Sequence, residues 1–316
     1  MNAPGRLGLY GAGLVVVFGV AFAAAGALAP DSSVAAWAEA GYSSHGEQAL
    51  ERTAGASDDQ EVDVSGVMSA ASGFTMGAVQ APTSVGTDGE LSFDIRDTSD
   101  VPISEFDTAH DKQLHLIVVR NDGREYRHVH PELDPKTGVW SLPWSWNAAG
   151  TYRLYADFAS GGVSATLSRS VDVAGQLTPE PETVVTRRDT VDGFDVTVSG
   201  DLVAGTGSEL TVEVSRDGGP VTVLEPYLGA FGHLVALRDG DLAYLHVHAH
   251  GEEPQPGDLA GPEVVFTAET PTPGRYLLYL DFQVDGQVHT AQFVLEATAT
   301  ASGQADTEDD AEHDGH

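Results

Sequence analysis

One stretch occurs twice in this chain, and it limits what the chain can fold into more than any other feature. HLIVVRNDGREYRHVH runs from His115 to His130, and HLVALRDGDLAYLHVH runs from His233 to His248. In each copy the lead histidine is followed thirteen and fifteen residues later by two more. With 12 histidines in 316 residues, two matching triads are not a product of composition. HLIVVR and HLVALR are apolar and β-branched, an Asp-Gly turn signal follows each, and YRHVH and AYLHVH read as returning strands. Side chains on a strand alternate faces, so His128 and His130 share a face about 7 Å apart. A two-residue turn would set His115 opposite His128 and His233 opposite His246. A four-residue loop would instead oppose His115 to His130 and His233 to His248. Either even loop puts each triad on one face, because directly paired residues point the same way.

The duplication extends beyond the hairpin. Gly73-Phe74 corresponds to Gly193-Phe194, ELSFDIRD from Glu90 to ELTVEVSRD from Glu209, and AGTYRLYADF to PGRYLLYLDF. Each unit is a run of short alternating strands with turn signals every 8–12 residues or so, the pattern of a sandwich of about seven strands. The expected fold is all-β, with two tandem Ig-like β-sandwich domains at 73–175 and 185–297 joined by a Pro-containing linker at 176–184. Tyr152 and Tyr276 follow a Gly-x step and read as tyrosine corners. Trp140, Leu142, Trp144 and Trp146 share strand parity, as do Val264, Phe266 and Ala268, and these belong to the cores. Met76, in GFTMGAV, is expected to pack rather than bind copper.

From Leu7 to Ala29 no charged residue appears, and Arg6 precedes the run. It is long enough to span a bilayer, which takes ~20 apolar residues. Residues 1–30 are therefore expected to be an uncleaved transmembrane helix, a cleavable signal being the alternative. Basic charge before the run and acid after Asp31 put the N-terminus in the cytoplasm and the domains outside, in a single-pass cell-membrane protein. Residues 31–72 read as a stalk, and 298–316, ending DTEDDAEHDGH, as a disordered acidic tail. The formal net charge of −33 argues against nucleic acid and fits a surface that draws cations.

A His-x-His pair beside a third histidine brings three imidazole nitrogens to one point, which is how a sheet can hold zinc or copper. His115, His128 and His130 form one expected metal site, and His233, His246 and His248 the other. His110, His250, His289, Asp157 and Asp281 are further candidates by position. The chain has no cysteine and three methionines, so Cu(II) or Zn(II) suits it better than Cu(I), which prefers sulfur. A nucleophile elbow, an HExxH helix, a phosphate loop and a cysteine nucleophile are all missing from the sequence, so an enzyme is not expected.

HLIVVR with a following HVHPE, then AGTYRLYADF, together with LEPYLGAFGHLVALRDGDLAYLHVH, resembles a family of membrane-anchored or secreted heavy-metal-handling proteins of actinobacteria. The resemblance implies extracytoplasmic handling of copper or another metal, with the six triad histidines at the matching positions. The second unit departs from the HVHP form, having Ala249 where proline is common. The expected function is extracytoplasmic buffering or delivery of copper, with zinc as the alternative metal. The other reading is a structural or adhesive surface protein whose sandwiches act as spacers or bind a partner without metal.

Overall fold

The computed structural model describes residues 66–181, 184–245, 247–255 and 257–300. The expected transmembrane helix, most of the stalk and the acidic tail lie outside them. Among the described residues every regular element is a strand, and no helix is long and apolar enough to cross a membrane.

The first domain contains β1 (Ala70–Ala71), β2 (Phe74–Met76), β3 (Gly89–Arg96), β4 (Leu114–Arg120), β5 (Arg127–Val129), β6 (Glu132–Asp134), β7 (Val139–Trp144), β8 (Gly150–Ser160) and β9 (Val163–Val173). One sheet has the order β1-β2-β3-β7-β6 and the other β5-β4-β8-β9. β1 falls in the stretch expected to be stalk. Ser72 and Gly73 both have positive φ, the geometry of a two-residue hairpin turn, and they fold Ala71 back onto Phe74.

The second domain repeats the plan with β10 (Arg188–Val191), β11 (Phe194–Ser199), β12 (Leu202–Val203), β13 (Gly207–Arg216), β14 (Gly219–Pro220), β15 (His233–Arg238), β16 (Tyr244–Leu245), β17 (Val247–Ala249), β18 (Glu263–Glu269), β19 (Gly274–Val284) and β20 (Gln287–Thr298). Its sheets run β10-β11-β13-β18-β17 and β12-β20-β19-β15-β16, with β14 on β13. Both domains are thus Ig-like sandwiches in tandem. Both tyrosine corners form: the Tyr152 hydroxyl donates to the Ala148 carbonyl at 2.8 Å, and that of Tyr276 to Thr272 at 2.7 Å. Trp140, Trp144 and Trp146 are buried in the first core, as are Val264, Phe266 and Ala268 in the second. Met76 is fully buried in the first core, where it packs.

A third apolar layer lies between the sandwiches. On β4, Leu114, Leu116 and Val118 face the domain's own core, while Ile117 and Val119 face the other domain. On β15, Leu234 and Ala236 face inward, and Val235 and Leu237 face outward to meet them. Ten buried side chains make up this layer. At roughly 1.5–3 kcal/mol for each full burial they outweigh the orientational freedom that docking costs, about 4–15 kcal/mol even for two separate molecules. The docking is reciprocal. Tyr155 of the first domain donates to the Leu242 carbonyl in the second domain's hairpin loop at 2.5 Å, and Tyr279 donates back to Gly123 at 2.7 Å. Equivalent residues thus exchange roles across the interface, as in an isologous dimer. The histidines stand at one end of this layer.

Candidate metal centre

The hairpin register places the histidines. Arg120 N–H bonds the Arg124 carbonyl at 2.8 Å around three residues, and Glu125, at positive φ, adds a fourth, so Leu116, Ile117 and Val118 pair with Val129, His128 and Arg127. This is the four-residue-loop register, and it keeps His115, His128 and His130 on the outward face with Ile117. β15 carries His233 on the same face as Val235 and Leu237, with Asp281 of β19 as its cross-strand partner. Two outward stripes pressed together bring their ends together. His115 and His233 stack, with ring centroids 5.5 Å apart and planes 8° from parallel, and His128 lies 4.8 Å from His233.

Hydrogen-bond partners fix the tautomers. His128 Nδ1 is 2.9 Å from Asp281 Oδ2, and a carboxylate there accepts, so Nδ1 carries the proton. His115 Nε2 is 3.2 Å from the Ala109 carbonyl, which also can only accept. His115 Nδ1 and His128 Nε2 then face each other at 3.0 Å, a hydrogen bond while a proton lies between them and two free lone pairs once it is lost. His130 Nε2 lies 3.3 Å from the same His115 Nδ1. Burial, then the neighbouring imidazoles, lowers His115 to about 4 and His130 to about 3, and holds His233 well below its ordinary value. These nitrogens converge, and a cation at their meeting point would take the place of the shared proton. One nitrogen each of His115, His128 and His233 lies within 4.8 Å of the others. Nitrogens around one zinc at ~2.0–2.1 Å stand roughly 3.3–3.4 Å apart, so these three would close by about 1.4 Å at most to hold one ion, with His130 beside them.

Asp281 is fixed in turn. Thr290 donates to its Oδ1 at 2.6 Å, and the carboxylate is 2 % exposed. The arrangement carboxylate–imidazole–open nitrogen is that of a metal-ligating histidine with its orienting partner, here supplied from the opposite domain. Asp281→Asn should weaken Zn(II) or Cu(II) binding by about 10–100-fold, as loss of such a partner does elsewhere, with the second sandwich still folded. Competition with a chelator and far-ultraviolet circular dichroism measure the two effects.

The profile of one family, described as a domain of unknown function (DUF8832), matches the chain twice, over residues 69–175 and 189–299. The chain belongs to the DUF8832 family. Its two DUF8832 segments coincide with the two sandwiches. No curated protein matches. Among solved structures, a Salmonella alpha-2-macroglobulin mutant is 17 % identical with a TM-score of 0.24, the match covering 76 % of this chain and 15 % of that one. Fibronectin(III)-like modules of Clostridium thermocellum CbhA are 12 % identical (TM-score 0.18; 77 % and 99 % covered). Invasin, described as a bacterial integrin-binding protein, is 13 % identical (TM-score 0.22; 72 % and 39 % covered). This chain thus spans a small part of the macroglobulin and under half of invasin.

The expectation of two separate triads, one per DUF8832 segment, is corrected. In the second segment the hairpin pairs through Leu245, but Val247–Ala249 pairs with β18 of the opposite sheet. His248 consequently sits opposite Thr267, exposed, and His233 joins the first domain's histidines instead. His246 lies outside the described residues. His250 is exposed and 2.5 Å from Thr267 Oγ1. His289 pairs with Phe282 rather than Asp281, so it faces the second core, where its Nδ1 meets Asp192 at 2.8 Å. Neither of these two histidines belongs to the centre. Asp157 is the cross-strand partner of His115 and accepts from Thr166 at 2.7 Å, repeating the Asp281–Thr290 pair. His110 stands at the rim, its ring 6.2 Å from His115 and 6.0 Å from His233. Sequence reasoning named Asp281 as a possible ligand; its role as the orienting partner of a histidine in the other domain was missed.

Proposed function

We propose that this protein binds one divalent transition-metal ion per chain, Cu(II) or Zn(II), between its two sandwiches and buffers or delivers it outside the cytoplasm. The observation that carries the reading is the pair of buried ring nitrogens 3.0 Å apart, each with its other ring nitrogen committed to an outward acceptor, and His233 beside them. The ligands are His115, His128 and His233, with His130 beside them at 3.3 Å from His115 and Asp281 orienting His128. Imidazole suits both ions, and the all-nitrogen set is wrong for Cu(I). The extracytoplasmic, membrane-held location rests on the uncharged run after Arg6, and heavy-metal handling accords with the sequence resemblance. The acidic surface helps to gather cations.

Full-length chain without a histidine tag, given excess Zn(II) or Cu(II) and then desalted, should retain one ion per chain by elemental analysis. Two tight ions would restore independent triads. Retention of neither metal would leave the spacer or partner-binding reading, which rests on the tandem sandwich architecture alone.

A further inference from the structure

We propose that His110 is the relay ligand of this centre, the side chain that takes the metal ion from solvent and passes it to the buried histidines. This rests on the metal-binding reading above. Among the described histidines near the centre, His110 alone is exposed. Its ring stands 6.0–6.2 Å from His115 and His233, outside the 4.8–5.5 Å spacings that separate the contacting rings within the set. It is therefore one side-chain rotation from the ion rather than part of the resting shell.

The loop that carries His110 is tied to both domains. Ala109 and Lys112 exchange backbone hydrogen bonds at 2.8 and 3.1 Å. Between them, His110 and Asp111 both adopt positive φ, at 50° and 63°. Two consecutive non-glycine residues in that region persist only where the surroundings hold them. Two contacts do so: Asp111 Oδ2 accepts from Gly229 N–H of the second domain at 3.2 Å, and the Ala109 carbonyl accepts from His115 Nε2. The carbonyl preceding His110 thus orients the ligand nitrogen of His115, so the rim and the buried site are joined through one hydrogen bond. Gly229 packs against the loop: a Cβ built on it would lie 3.7 Å from His110 Nδ1 and 3.5 Å from Glu253 Oε1. A carboxylate and an imidazole therefore flank Gly229 at the rim, an oxygen and a nitrogen ligand for an arriving hydrated cation. An ion losing water on its way to a buried all-imidazole site needs an intermediate ligand, and this is the position for it.

A relay speeds the approach in both directions and leaves the end state alone. His110→Ala in the full-length chain should slow Zn(II) uptake and Zn(II) release to a competing chelator alike, each by about tenfold, which is about 1.4 kcal/mol on the barrier in both directions. Equilibrium affinity should stay within about threefold of wild type, as for an exposed side chain that is not a ligand in the resting state. His110→Asp, which restores a ligand at the rim, should recover most of the rate. Stopped-flow with a metallochromic chelator reads both rates. Unchanged rates overturn the proposal, and so does faster exchange, which would make His110 a plug. Loss of affinity without slower uptake also overturns it, by making His110 a resident ligand. In each of these cases the metal centre itself stands. Failure of the wild-type chain to bind either ion would remove both readings together.

Discussion

His233→Ala should weaken Zn(II) and Cu(II) binding by more than about 100-fold, a larger effect than the 10–100-fold of an outer-shell partner, although it leaves every histidine of the first domain in place. The reason is geometric. His233 stacks on His115 and approaches His128 because the outward faces of β4 and β15 are pressed together. His248→Ala should change affinity by less than about twofold, since His248 is exposed and paired with β18. Chelator competition on the two full-length variants gives the contrast directly. If the His248 variant loses an ion while the His233 variant keeps one in the first domain, the shared centre is wrong and two independent triads are right. The metal should also raise the melting temperature of wild type more than that of the His233 variant, because the ion stabilises only the state it binds.

Much of this architecture is legible in the sequence, and the point where legibility stops is specific. Alternation and turn signals identify two sandwiches, Gly-x-Tyr identifies both corners, and His-x-His with a lead histidine identifies a convergent face. Pairing parity works because it is local: it depends on the loop after Arg120 and on nothing farther away. What parity leaves open is what the histidine face looks out on. A sheet with one wet face should alternate, yet LHLIVVR is buried at all seven positions. Ile117, Val119, Val235 and Leu237 are the available signal, apolar residues on the same face as the histidines. The reciprocal bonds of Tyr155 and Tyr279 had no such signal, since a tyrosine on a strand finds its acceptor only when another domain arrives. The sheet switch after Leu245 was equally silent. Ala249, where the first domain has Pro131, marks the place without stating the outcome.

Metal-free protein should lose stability steeply as pH falls through the range where its buried histidines resist protonation. An unfolded histidine titrates near 6.5. In the folded chain burial lowers His115 to about 4 and His130 to about 3, and His233 lies well below its ordinary value. Between those values the unfolded chain binds protons that the folded chain refuses, so unfolding free energy rises with pH. The contribution is complete above about pH 6.5 and drains away as pH drops toward 4 and 3. Three shielded groups would give about 4 kcal/mol per pH unit; with His130 discounted for its partial solvation, about 3 is the expected slope between pH 6 and 5. Two carboxylates that also favour the folded state do not intrude there. Asp241 is held below the usual carboxylate range by Arg238, and Asp122 by Arg120 against its own burial, so their contributions are lost only at lower pH. Self-repulsion among the acidic residues changes with pH in every variant alike, which makes the comparison between variants the measurement. Urea unfolding of metal-free wild type and of His130→Asn at pH 7, 6 and 5 should show a shallower slope for the variant, by up to one proton's worth, about 1.4 kcal/mol per pH unit. Equal slopes would mean that the histidines are solvated, and a site built on neutral, buried imidazoles would lose its foundation.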